Sequence, residues 1–347
     1  MNRPVNGTIT GVVDGASAGA AAPVLVVDGL CVEFAGKAGW ERVVDDVSFA
    51  VRRGETLAIV GESGSGKSVT SLACMGLLPA SACHRAGRIV LGGTDVASLS
   101  RRQLEDVRGD EIAMIFQEPM TSLDPAFRVG DQIAEVVRRH RGTSWRQARA
   151  RAVEVLDIVG IPRAADRARS YPHEFSGGMR QRVMIAMAIS CEPAVLIADE
   201  PTTALDVTIQ AQVLDLLRRM KAEFGMALVL VTHDLGVVAD VADRVAVMYA
   251  GSMVEEASVD DLFYRTAHPY TQGLLSSMPQ VHVAGEQPYV IPGRMPSPSA
   301  LPPGCRFAPR CAYAIDACDE GLPALRRSST GHAARCFRSD ELELYPT

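Results

Sequence analysis

Gly61-Glu62-Ser63-Gly64-Ser65-Gly66-Lys67-Ser68 decides how this chain is read. It fits G-x-x-x-x-G-K-[ST] and follows a short apolar run, Thr56-Leu57-Ala58-Ile59-Val60. Strand, glycine-rich loop, then Lys-Ser opening a helix is the context that makes this pattern a nucleotide site rather than a turn. Gly61, Gly64 and Gly66, with Ser63 and Ser65 between them, let backbone N–H groups close around an anion. The helix that follows points its positive end at the same place. Lys67 is expected to reach the β- and γ-phosphates, and the Ser68 hydroxyl to ligate Mg²⁺. The expected ligand is ATP or GTP, and no Asn-Lys-x-Asp base-reading motif supports a GTPase switch.

Outward from the loop, Val24 to Phe34 and Val43 to Val51 read as strands leading to it, and Val69 to Leu78 as a helix stopped by Pro79. Arg88 to Leu91 and Glu111 to Phe116 read as further strands. Val129 to Val159 reads as a helical stretch, and Met179 to Ser190 as another helix. The continuous apolar runs Ala194 to Ala198 and Ala227 to Thr232 suit parallel strands covered on both faces. Between them lies an amphipathic helix, Ile209 to Phe224. Strands alternating with helices around a phosphate loop predict an α/β fold with a mostly parallel sheet. The long helical stretch predicts an inserted subdomain, about residues 120–175.

Acids and amides fall at the ends of these runs. Asp199-Glu200 closes one buried strand, where ligand sites of such sheets lie. Asp199 is placed to hold Mg²⁺ directly or through water, and Glu200 to polarise the attacking water. His233 follows the next strand and is expected at the same sheet edge, contacting the γ-phosphate or orienting the water. Gln117 ends a third strand and could sense Mg²⁺ or the water. Ser176-Gly177-Gly178 opens a helix as a capped, open anion cradle. A chain that already holds one phosphate loop has no need of a second, so this one suits a nucleotide held by another subunit.

The 347 residues carry a net charge of −6, with 47% hydrophobic and 22% charged residues, as in ordinary globular proteins. That balance gives no argument for nucleic acid. No run approaches the ~18 apolar residues of a membrane helix. Residues 1–23, rich in Gly, Ala, Ser and Thr, are expected to be a disordered leader rather than a signal peptide, which places the protein in the cytosol. Six prolines between Pro292 and Pro309 exclude a regular helix or central strand there, so residues 280–347 read as an extension beyond a 24–279 core. Cys305, Cys311, Cys318 and Cys336 crowd into 32 residues of that extension. A segment with so few large apolar residues needs a staple, and in a reducing compartment a metal is a better staple than a disulfide. Four thiolates suit an iron–sulfur cluster, whereas zinc sites usually show a C-x₂₋₄-C pair that is missing here. Zinc, or no metal, stays open, and His332 is an outside candidate ligand.

The order Gly61–Ser68, Gln117, Ser176-Gly177-Gly178, Asp199-Glu200, Ala204-Leu205-Asp206, His233 resembles that of ABC-transporter ATPases. There these are the Walker A, Q-loop, signature, Walker B, D-loop and H-loop, and the resemblance covers about Val24 to Pro279. It implies a P-loop NTPase (RecA-like) core with an antiparallel β subdomain, and two cassettes clasping ATP between them. Asp206 would lie at the nucleotide interface. An aromatic stacking on adenine is expected upstream, with Trp40 the candidate and Phe34 the rival. Phe175 and Met179 depart from the Leu and Gln more usual beside the signature.

Three stretches, Gln117 to Pro125, Met179 to Ala188 and His268-Pro269-Tyr270-Thr271, are similar to the oligopeptide/dipeptide importer ATPases, most of all to the D-type subunit. The tail Pro302-Pro303-Gly304-Cys305-Arg306-Phe307-Ala308-Pro309-Arg310-Cys311 is also like that family's extension. The resemblance implies an F-type partner ATPase, two permease subunits, a solute-binding protein, a place on the cytoplasmic face of the inner membrane, and a [4Fe–4S] cluster on the four cysteines. Nickel or glutathione importers, and soluble ABC ATPases of DNA repair or translation, are the alternatives.

Overall fold

The structure is a computed structural model that describes residues 22–36, 39–117, 122–203, 205–278 and 289–345. The expected leader lies outside the described residues except for Ala22 and Pro23, and so do Glu118 to Thr121 and Ala204 of the motifs quoted above.

Five parallel strands form the centre: β3 (Thr56–Val60), β6 (Ile112–Ile115), β7 (Val195–Asp199), β8 (Ala227–Thr232) and β9 (Arg244–Tyr249), in spatial order β9-β3-β8-β7-β6. Their unbroken apolar character follows from two covered faces. Leu196, Ala198, Leu228 and Leu230 pack into the core shared with the helical insert. Val195, Ile197, Val229 and Val231, one residue out of step, pack with Leu57 and Ile59 into a second core on the opposite face.

That second core is roofed by an antiparallel sheet of β1 (Leu25–Gly36), β2 (Gly39–Val51), β4 (Ala82–Leu91) and β5 (Thr94–Asp95), ordered β2-β1-β4-β5. Its Leu25, Val27, Leu30, Val44, Val47 and Phe49 face inward. This is the antiparallel subdomain that the family resemblance implies.

The helical stretch expected over Val129 to Val159 is two helices, Val129–Arg141 and Trp145–Ile158. Gly142 ends the first in the left-handed conformation, at φ 61°. Ser144 starts the second with a reciprocal capping box to Gln147. The pair packs on helix Gly177–Ile189, and its Ile133, Ala134, Val137, Ala152 and Val155 join the core of the central sheet.

Strand β10 (Ser252–Ser258) runs antiparallel to β9, and the extension continues the same sheet through β12 (Ala333–Ala334) and β11 (Arg326–Arg327). The extension thus completes a layer of the main sheet instead of building a core of its own. Phe307 packs against Tyr249 and Tyr270, and two arginines anchor the segment. Arg306 bonds the Ala250 carbonyl at 2.6 Å and pairs with Asp45, while Arg335 donates to the carbonyls of Met253 and Pro323 at 2.9 and 3.2 Å. Such guanidinium forks onto backbone oxygens supply fixed geometry where apolar side chains are scarce.

Candidate nucleotide site

Every parallel strand that carries a predicted site residue delivers it at its carboxyl end. The phosphate loop follows β3, and Lys67–Cys74 is the helix it opens. Gly61 has φ 151°, and a Cβ there would run into the Met248 carbonyl oxygen. Gly66, at φ 103°, caps the helix with no side chain of its own. Lys67 is buried, and its Nζ donates to the carbonyls of Gly61 and Glu62 at 2.7 and 3.0 Å. Burial pushes this ammonium below the ordinary lysine range against the pull of Glu200, Asp199 and Glu62. The Ser65 hydroxyl is buried with no partner among the described residues. An orphaned donor inside an anion cradle is what a phosphate oxygen would satisfy, so the residues present fit a nucleotide.

Ser68 Oγ donates to Asp199 Oδ1 at 3.1 Å, joining the loop to the end of β7 across 131 residues of chain. Burial pushes Asp199 above the usual carboxylate range, and the Ser68 bond opposes that shift. A hydroxyl and a buried carboxylate in contact fit Mg²⁺, a hard cation that takes few protein oxygens and keeps its waters.

Glu200 holds the centre. It sits in the left-handed region at φ 46°, a conformation that strains a non-glycine residue and is found at functional sites. Gln117 Nε2 donates to its Oε2 at 3.0 Å, Thr203 Oγ1 to the same oxygen at 2.8 Å, and His233 Nδ1 lies 3.3 Å from its Oε1. Burial pushes Glu200 up, but the Thr203 and His233 contacts and the field of Lys67 outweigh it and hold the carboxyl below its usual range. A carboxylate has about four lone-pair sites. Three are engaged here, which leaves one for a water proton. Gln117, Glu200 and His233 therefore meet at one point, as their strand-end positions predict.

Thr203 is the residue that sequence patterns miss, although a hydroxyl three residues after Glu200 is a visible signal. Thr203→Ala should let burial dominate Glu200, raise its pKa and move the acid limb of the pH–activity profile to higher pH. An unmoved limb in the variant's pH–rate profile would contradict this role.

The remaining candidates are dispersed. Ser176 caps helix Gly177–Ile189 by accepting from the Met179 N–H; Ser176 and Gly177 are exposed, and Gly178 is half-buried. Gln181 of the same helix donates to the Pro201 carbonyl at 2.7 Å, which couples it to the residue after Glu200. Asp206 caps helix Val207–Phe224 through the Ile209 N–H at 3.0 Å, a structural use of its carboxylate. Trp40 is 51% exposed on β2, whereas Phe34 is packed against the roof core.

The cysteine site needs correction. None of the eight cysteines is in a disulfide. Cys305, Cys311, Cys318 and Cys336 do line one small cavity, together with His268, Phe307 and Tyr313. Yet no three Cys, His, Asp or Glu among the described residues stand where they could hold a metal ion. Burial pushes the Cys305 and Cys336 thiols up and Cys311 up to about 11, which keeps these three neutral. The donor types suit a soft metal, but the assembled ligand set expected for iron–sulfur or zinc is not formed. His332 does not line the cavity at all: its Nε2 pairs with the buried Glu255 at 2.7 Å.

A phosphate loop, a Ser–Asp pair and a three-donor glutamate at the ends of parallel strands define a P-loop nucleoside triphosphatase. Residues 44–203 match the family model "ABC transporter", and residues 254–318 match "Oligopeptide/dipeptide transporter, C-terminal region". The chain belongs to the ABC-transporter ATPase family. It is 52% identical over 299 residues to the oligopeptide transport ATP-binding protein AppD of Bacillus subtilis, covering 86% of this chain and 91% of that one. It is 50% identical over 319 residues to the dipeptide transport ATP-binding protein DppD of the same organism, covering 92% and 95%. Among solved structures, the dimeric ATP-binding cassette MJ0796 bound to ADP and Pi superposes with a TM-score of 0.61 at 26% identity, covering 68% of this chain and 98% of that one.

Proposed function

We propose that this chain is the ATP-hydrolysing subunit of an importer for di- or oligopeptides. The observation that carries the ATPase reading is the Glu200 carboxylate, ionised and held by Gln117, Thr203 and His233 beside the Ser68–Asp199 pair. The peptide reading is supported by the C-terminal match and by the names of the relatives.

In this reading the loop N–H groups and Lys67 bind the β- and γ-phosphates. Ser68 and Asp199 hold Mg²⁺, which would supply charge neutralisation at the phosphates. Glu200 orients the attacking water and accepts its proton, with His233 fixing the carboxylate. Ser176-Gly177-Gly178, exposed at its first two residues, serves the nucleotide of a second cassette, and Trp40 stacks on adenine. The second cassette is read as an F-type partner beneath two permeases fed by a solute-binding protein, with this subunit peripheral on the cytoplasmic face. No helix among the described residues is long and apolar enough to cross a membrane.

The function as a whole is tested by labelled dipeptide uptake in cells depleted of this subunit. Uptake is expected to fall to background, and undiminished uptake would refute the importer role.

A further inference from the structure

The phosphate loop is fastened to the C-terminal extension by a contact that nucleotide hydrolysis as derived above does not use. Arg310 and Glu62 lie 248 residues apart, yet Arg310 Nη1 donates to both Glu62 carboxylate oxygens, at 3.0 and 3.2 Å. Glu62 is the second residue of the loop, directly after Gly61. The Arg310 side chain is 6% exposed and that of Glu62 31%, so the pair is screened less than a surface ion pair.

The guanidinium is held from behind. Its Nε donates to the Pro292 carbonyl at 2.8 Å, Nη1 reaches the Tyr249 hydroxyl at 3.3 Å, and it lies over the Tyr249 and Phe307 rings. The Tyr249 ring packs in turn on Tyr270, whose hydroxyl accepts the Glu62 N–H at 2.9 Å. Glu62 is gripped at its backbone and at its carboxylate, while its carbonyl accepts from Lys67.

An acid in this loop is a liability, because the neighbouring N–H groups receive a polyanion and a free carboxylate there would repel it. We propose that Arg310 is a positioning residue for the nucleotide: by neutralising and fixing Glu62 it makes the affinity of the phosphate loop depend on the extension. The inference rests on the nucleotide-site reading above.

The test is Mg²⁺–ATP affinity of the full chain, read with a fluorescent ATP analogue and by competition. Arg310→Met is expected to weaken binding about tenfold and to raise KM with little change in kcat. Combining it with Glu62→Gln should restore affinity to within about threefold of wild type, because the acid that needed the cation is gone. Arg310→Lys, which keeps the charge but loses the guanidinium fork and its stacking, should fall between wild type and Arg310→Met. A wild-type chain that binds no ATP refutes the nucleotide reading itself. A wild-type chain that binds ATP refutes this proposal if Arg310→Met binds equally well, or if the double variant is as weak as the single one. Should Arg310→Met not fold, Glu62→Gln decides alone, since it leaves the Tyr249 and Pro292 anchors in place: unchanged or tighter binding supports the proposal, and weaker binding overturns it.

Discussion

Glu200→Gln is expected to lower ATP turnover by about 10²–10⁴-fold, the range of general-base assistance, while ATP still binds. The amide cannot take a proton from water. Gln117 Nε2 and Thr203 Oγ1 donate to one and the same oxygen, which the amide oxygen can replace, so the NH₂ group falls opposite His233 Nδ1 and the contact on that side changes. Binding survives because the hydrogen bonds that shape the loop, from Lys67 to Gly61 and Glu62, do not involve Glu200. Single-turnover hydrolysis measured beside equilibrium ATP binding separates the two effects. An unchanged hydrolysis rate would remove Glu200 from the mechanism.

Lys67→Ala should reduce ATP hydrolysis by about 10²–10³-fold or more and abolish peptide uptake in the assembled transporter. Lys67 is 5% exposed and is the cation inside the loop, so its loss leaves the cradle with backbone dipoles alone. It also leaves the Gly61 and Glu62 carbonyls without the donor that now closes the loop. The fold should persist, since these bonds are local to the loop and the strands on either side are fixed by Leu57, Ile59, Val229 and Val231 in the core. Circular dichroism melting checks the fold, and labelled-peptide uptake checks the function. Retained ATP-driven uptake in this variant would contradict the assigned role.

Much of the arrangement at the candidate edge was legible because its determinants are local. A glycine-rich loop after a strand, and Asp199-Glu200 and His233 after unbroken apolar runs, each declare their position through adjacent residues. What stayed hidden depends on distant partners or on single residues. Gly142 divides a stretch whose composition is helical throughout, and only its left-handed φ reveals the break. Strand β10 is obscured because Glu255 and Glu256 are buried in it, acids that read as surface until Arg244, Arg327 and His332 are brought to them. The cysteine spacing showed that the tail is unusual but not how its thiols are disposed. The Arg310–Glu62 pair joins segments with no pattern in common.

The extension also settles how the large sheet ends. Its outermost position falls to Arg326 and Arg327, a strand of two residues, both exposed. A foreign strand seeking to add itself there finds little backbone to bond and two adjacent cations to displace, a common defence against edge-to-edge aggregation. A chain cut at residue 318, where the family match ends, would instead uncover Glu255 and Glu256 of β10, the two positions that β12 pairs.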